Sequence, residues 1–215
     1  FETDLLCGIL QPTGHHQGIR NLIHKPTGIP LTHPDFSLLN LYLLFTKGQC
    51  IASARTLPQT ITTGSNHLHI DCPPSKQHNA NLRLTYHLAS PNAIDLYIHM
   101  KSQNDYLAYE ALLANYFDLA LKPQFCVSES NFDKSHQAIQ WYTPIVQHQH
   151  KDNALIFPRN AQTAQLHRDG RWSNVKSIYQ WKTHHYYAHP IAVQIHPEHN
   201  IAVALMTHPE TCPSF

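Results

Sequence analysis

The sequence predicts an all-β chain, an antiparallel β-sandwich in a single domain spanning residues 1–215. Two observations carry that expectation. Turn-forming clusters punctuate the chain at Pro12-Thr13-Gly14, Lys25-Pro26-Thr27-Gly28, His33-Pro34-Asp35, Cys72-Pro73-Pro74, Ser90-Pro91-Asn92, Arg168-Asp169-Gly170 and His196-Pro197-Glu198. Between them lie short segments in which apolar and polar residues alternate with a period of two, as in a strand with one buried and one solvated face. A chain of 215 residues is long enough to bury a substantial core as one all-β domain.

From the N-terminus, His15-His16-Gln17-Gly18 falls at a turn between the first two strand candidates, with Arg20 just beyond. An imidazole and a guanidinium near a strand end suit hydroxyls or a carboxylate, which Arg grips through two parallel N–H bonds. His16 and Arg20 are therefore candidate substrate-binding residues. The longest apolar run, 38–45, is broken by Asn40 and Tyr42 and falls far short of the ~20 residues of a membrane-spanning helix. His67-Leu68-His69 is a His-x-His pair. On a strand, both rings of such a pair leave one face, a geometry suited to adjacent positions on zinc, copper or iron.

The clearest hairpin is 79–101. Ala80, Leu82, Leu84, Tyr86 and Leu88 alternate with Asn81, Arg83, Thr85 and His87. Past the Ser90-Pro91-Asn92 turn, Ile94, Leu96, Ile98 and Met100 alternate with Asp95, Tyr97, His99 and Lys101. One face enters the core; the other presents Arg83, His87, Asp95, Tyr97 and His99. Arg83 joins the residues able to hold hydroxyls or a uronate. The stretch 106–121 fits a helix or a long buried strand, the strand being favoured by its aromatic content and its place after a hairpin. Within it, Glu110 stands among apolar residues and tyrosines. A carboxylate there must be paired, hydrogen-bonded or shifted in pKa, and such groups concentrate at active sites, although a buried structural pair fits equally.

Residues 128–137 are polar enough for a loop. His148-Gln149-His150 is the second His-x-His pair and the expected site for a divalent transition metal, with His189 or Glu110 as a candidate third ligand. Residues 160–167 read as a short helix or turn. His184-His185-Tyr186-Tyr187-Ala188-His189-Pro190 then leads into a strand carrying Ile191, Val193 and Ile195. Carried backwards, the period of two sets His185, Tyr187 and His189 on that same face, where the sheet would open into a cleft. His and Tyr suit proton abstraction and donation at a sugar ring; capping of the core is the alternative role. Ile201, Val203 and Leu205 complete the last hairpin.

Nineteen histidines outnumber the 15 lysines and arginines, an unusual reserve of acid/base and ligand chemistry. Charged residues make up 13% and the formal net charge is +1, so neither nucleic acid nor an anionic membrane is an expected partner. The five cysteines form no CxxC pair, which excludes a zinc ribbon or thioredoxin-like motif and leaves buried thiols and one or two disulfides both open. GxSxG, GxxxxGK, GxGxxG and HExxH are all absent. The chain opens on Phe1 rather than Met, and the matching expectation is a processed N-terminus and a secreted or periplasmic protein.

The segments Glu2-Thr3-Asp4-Leu5-Leu6 through His16-Gln17-Gly18 to His24-Lys25-Pro26-Thr27-Gly28, Phe157-Pro158-Arg159-Asn160-Ala161 and Tyr187-Ala188-His189-Pro190 resemble a group of uncharacterised bacterial proteins associated with the galactose-mutarotase-like β-supersandwich. The resemblance implies that fold and a carbohydrate ligand. The mutarotase Asn-His-Pro substrate-binding segment has no clear counterpart here, and no motif matches Glu110 to the catalytic base, so the resemblance transfers no site residue. The expected function is a carbohydrate-active protein, epimerase- or lyase-like. His189 and Tyr187 would exchange protons with the sugar, Glu110 would orient or neutralise, and His16, Arg20, Arg83 and His185 would bind substrate. Ten tyrosines and three tryptophans supply stacking faces. The alternatives are a metal-dependent enzyme or metal-binding protein centred on His148 and His150, and a non-catalytic carbohydrate-binding or structural module.

Overall fold

A computed structural model describes residues 1–47, 49–129, 139–144, 154–168, 179–181 and 185–215. The protein is almost entirely β, as the turn rhythm predicts, and its residues gather into two compact units, Phe1–Asp118 and Leu119–Phe215. Among the described residues no helix is long and apolar enough to cross a membrane.

The first unit holds ten strands: β1 (Leu6–Gln11), β2 (Gly18–His24), β3 (Ile29–Pro30), β4 (Asn40–Thr46), β5 (Gln49–Ala52), β6 (Thr60–Thr63), β7 (His67–Cys72), β8 (Ala80–Ser90), β9 (Ala93–Ser102) and β10 (Glu110–Ala114). They form three antiparallel sheets, ordered β1-β2-β3, β10-β4-β5 and β6-β7-β8-β9. Leu41 and Leu44 of β4 share one core cluster with Leu68 and Ile70 of β7 and with Leu82, Leu84 and Tyr86 of β8, so two sheets pack face to face as a sandwich. Alternation along β8 decides which side chains enter: Leu82, Leu84 and Tyr86 are buried while Arg83 faces solvent. Across the hairpin, Ile98 lies opposite Leu84 and packs half-buried on the same core, and Tyr97 stands out on the other face, 58% exposed. Of the stretch 106–121, Glu110–Ala114 pairs with β4 as a strand, but it is five residues long and alternates between half-buried and exposed positions, not the long buried strand expected there.

One glycine in this unit is required by close approach. Gly18 has φ +118°, and a Cβ there would fall 2.3 Å from the Leu38 carbonyl oxygen. That contact lets Ile19 and Leu38 exchange two backbone hydrogen bonds of 2.9 Å.

The second unit contains β11 (Lys122–Glu129), β12 (Ile139–Tyr142), β13 (Ala154–Ile156), α1 (Ala161–Arg168), β14 (Tyr179–Trp181), β15 (His185–His196) and β16 (Ile201–Met206). An antiparallel sheet runs β12-β11-β15-β16, and β13 pairs with β14 in parallel. Val127, Phe157 and Tyr187 are buried together, with Phe125, Tyr142, Leu155 and Phe215 packed against them. The α1 helix takes up the stretch expected as helix or turn, and the Asn160 side chain accepts a 2.9 Å bond from the Thr163 N–H at its start.

β15 does not keep the face that simple alternation gives it. Its buried positions are Tyr187, Pro190, Ala192 and Gln194, whereas His189 is exposed and Ile191, Val193 and Ile195 are half-buried. Against β11, Val127 pairs with Tyr187 but Phe125 with Ala192, so five steps of β15 are matched by two of β11. Pro190 has no N–H to give to a ladder, and the irregularity sits where such a residue is tolerated. The five cysteines are free thiols, with Cys72 and Cys126 buried.

Candidate functional site

The loop between β1 and β2 is built from the inside. Gln17 is fully buried and its side-chain amide donates to the Pro12 carbonyl at 2.8 Å, while the Ser37 hydroxyl donates to the Gln17 carbonyl at 2.9 Å. With Gly18 pinned against Leu38, the loop holds His15 and His16 above the start of β2, from which Arg20 rises half-buried. Arg55, from a 3-10 turn at Ala54–Thr56, donates to the His15 carbonyl and lies 4.5 Å over the Tyr42 ring. Arg20 reaches the Gln11 side-chain oxygen and the Pro34 carbonyl, both at 3.4 Å.

Among the described residues neither Arg20 nor Arg55 forms an ion pair with a carboxylate. The Nε of each is buried without a hydrogen-bond partner. Their charge is felt by His16, whose pKa is lowered first by burial and then by Arg20, His15 and Arg55, with Asp35 opposing. A neutral imidazole therefore sits beside two guanidinium groups. An aromatic wall completes the corner: the His16 and Phe36 ring centroids are 5.6 Å apart, and Phe36 stacks on Tyr116 at 4.5 Å and meets His33 at 4.9 Å.

The other residues singled out in the sequence fall elsewhere. Arg83 makes two bonds to Asp71, 2.6 and 3.1 Å, on the outer face of the β6–β9 sheet. Glu110 begins β10 half-buried; burial pushes its carboxyl up to about 7, and Oε2 is buried without a partner. Tyr187 is buried in the second unit, its hydroxyl donates to the Cys212 carbonyl, and burial raises that hydroxyl to about 12. His185 lies 5.1 Å from the Tyr142 ring with Nδ1 buried and unbonded. His189 is exposed on β15 while Tyr187 is buried, so the two do not share the cleft-facing side that simple alternation gives them; the irregular pairing around Pro190 separates them. His148 and His150 lie outside the described residues, among which no group of three or more His, Cys, Asp or Glu is arranged to hold a metal ion.

Arg55, Gln17, Phe36 and Tyr116 escape sequence reasoning. Arg55, Phe36 and Tyr116 come from chain positions far from His16, and Gln17, though its neighbour in the turn, shows no sign in the sequence of being the buried strut that its bond to the Pro12 carbonyl makes it. The sandwich also hides a His–Tyr pair, His78 and Tyr109, that no motif indicates. Two shallow depressions, of about 260 and 330 Å³, lie around the Gly64–His67 turn and Leu88; neither includes His16, Arg20 or Arg55.

No family model matches the chain, and no curated protein or solved structure matches it.

Proposed function

We propose that the protein is a carbohydrate-active β-sandwich protein, epimerase- or lyase-like, that takes a uronate at the His16–Arg20–Arg55 corner. The observation that carries this reading is the pair of arginines without a carboxylate partner flanking a neutral histidine. A carboxylate is the natural counter-ion for paired guanidinium groups. The resemblance to the mutarotase-like supersandwich supports a sugar as its carrier, and the Phe36–Tyr116 wall supplies an apolar face for a ring.

The chemistry follows from that placement. In a uronate, C5 bears a hydrogen α to the carboxylate. Neutralising the carboxylate with Arg20 and Arg55 stabilises the negative charge that develops as this hydrogen leaves. Neutral His16 is the base in reach of the corner, and its lowered pKa keeps the lone pair available near pH 7. Return of a proton from water to the opposite face inverts C5; breaking the C4–O4 bond instead, with the proton taken up by His16 passing to the departing O4, leaves a C4–C5 double bond.

The test is calorimetric titration of tag-free protein with oligogalacturonate and with the neutral galactose oligomer, followed by detection of epimer or unsaturated product. Acidic sugar should bind and the neutral one should not, and Arg20→Gln and Arg55→Gln should each weaken binding by about 10- to 100-fold, as loss of a charge-assisted bond does. Equal binding of both sugars, or binding untouched by either substitution, removes the reading. Tight binding with no product moves the protein to the non-catalytic module.

A further inference from the structure

The outer face of the β6–β9 sheet carries histidines that the uronate site does not use. Residues opposite one another form rungs: His67 faces His87, which faces Asp95, and Thr62 faces His69, then Thr85, then Tyr97. His67 and His69 leave β7 on the same side, both half-buried, with ring centroids 4.5 Å apart.

Each ring has one nitrogen already held. Asn66 donates from Nδ2 to His87 Nε2 at 3.1 Å, which orients its Oδ1 to accept from His67 Nδ1 at 3.3 Å. His69 Nδ1 lies 2.9 Å from the Thr85 hydroxyl, which accepts from it in the tautomer that leaves Nε2 its lone pair. An oxygen on the distal nitrogen is how metal-bound histidines are oriented and made more basic. Gly64 keeps space for the arrangement, since a Cβ there would lie 2.3 Å from the His67 ring.

The spacing also matches. Metal–nitrogen bonds of ~2.0–2.1 Å put an imidazole centroid about 3.2 Å from the ion, so two ligands at right angles have centroids about 4.5 Å apart. The same pair held at a tetrahedral angle would be about 5.2 Å apart by that geometry. We infer that His67 and His69 form a two-point site, through their Nε2 atoms, for a divalent transition ion that favours right-angle nitrogen ligands, copper(II) above all. No third His, Cys, Asp or Glu among the described residues joins them, so water fills the remaining positions.

The probe is copper(II), added substoichiometrically to tag-free protein while the imidazole signals are followed by NMR for paramagnetic broadening. His67 and His69 should broaden together and before His99, which is exposed two strands away on the same face. In His67→Gln the broadening at His69 should require about 10²-fold more copper, the loss expected when two-point attachment becomes single-point, and the converse should hold for His69→Gln. His99→Gln should change neither. Unaltered melting temperatures establish that the variants are folded. Broadening at His67 and His69 no stronger than at His99, or at His69 in the His67→Gln variant equal to that in the parent, overturns the site.

Discussion

The His78 ring shares a 3.1 Å hydrogen bond, through Nε2, with the hydroxyl of Tyr109. His78 is fully buried, its Nδ1 has no partner, and it stacks on Tyr106 with centroids 5.7 Å apart. Burial lowers its pKa below the ordinary 6.5, so the folded state holds it neutral where the unfolded chain takes up a proton. Stability is therefore complete above pH 6.5, falls as pH drops below that value, and levels off once the folded-state imidazole also protonates. His78→Phe should abolish that part of the acid slope. It should also lower stability near pH 7 by about 1–3 kcal/mol, by stranding the Tyr109 hydroxyl. Urea unfolding at several pH values on either side of 6.5 measures both.

Glu110 runs the other way. Its carboxyl is raised from 4.5 to about 7 by burial, so the folded state keeps a proton that the unfolded chain releases. The contribution is fully present below pH 4.5 and is lost as pH rises through about 7. Glu110→Gln removes this dependence and should stabilise the protein at pH 8 by about 1–2 kcal/mol, a figure reduced for the partial solvent screening of a half-buried group. An unchanged alkaline slope in the variant would show that Glu110 is already ionised and paired.

Within the sandwich, Leu84→Ala should cost about 2–5 kcal/mol, because Leu84 has no exposed surface and its removal leaves a cavity in the core. Its neighbour in sequence behaves differently. The Arg83–Asp71 pair is solvent-exposed, so Arg83→Gln should leave the denaturant midpoint nearly unchanged despite two good hydrogen bonds. Denaturant midpoints of the two variants separate a buried position from an exposed one in a single strand.

On β15 the contrast lies two residues apart. Tyr187→Phe should cost about 1 kcal/mol by removing the hydroxyl that donates to the Cys212 carbonyl. His189→Gln should stay within about 0.5 kcal/mol, as expected at an exposed position. Uronate binding at the first unit's corner should survive both substitutions. Loss of sugar binding in His189→Gln at unchanged stability would return His189 to the site.

The sequence by itself determined the β class, the turns and the faces of the regular strands. Along β7, β8 and β9 the side-chain period is two, so polar and apolar residues sort themselves by parity, and the exposed row of Arg83, Tyr97 and His99 is legible from local order alone. That reasoning failed on β15, because Pro190 and the accompanying register shift change parity midway, and parity has no memory across such an irregularity. Half of the candidate corner was legible as His16 and Arg20, which are close in sequence. Arg55, Phe36 and Tyr116 were not: Arg55 meets His15, Phe36 meets His16 and Tyr116 stacks behind Phe36 only through the packing of other strands and turns. Which arginine lacks a carboxylate, and which histidine burial holds neutral, are properties of that packing: charge compensation and desolvation depend on distances through space, and residue order does not encode them.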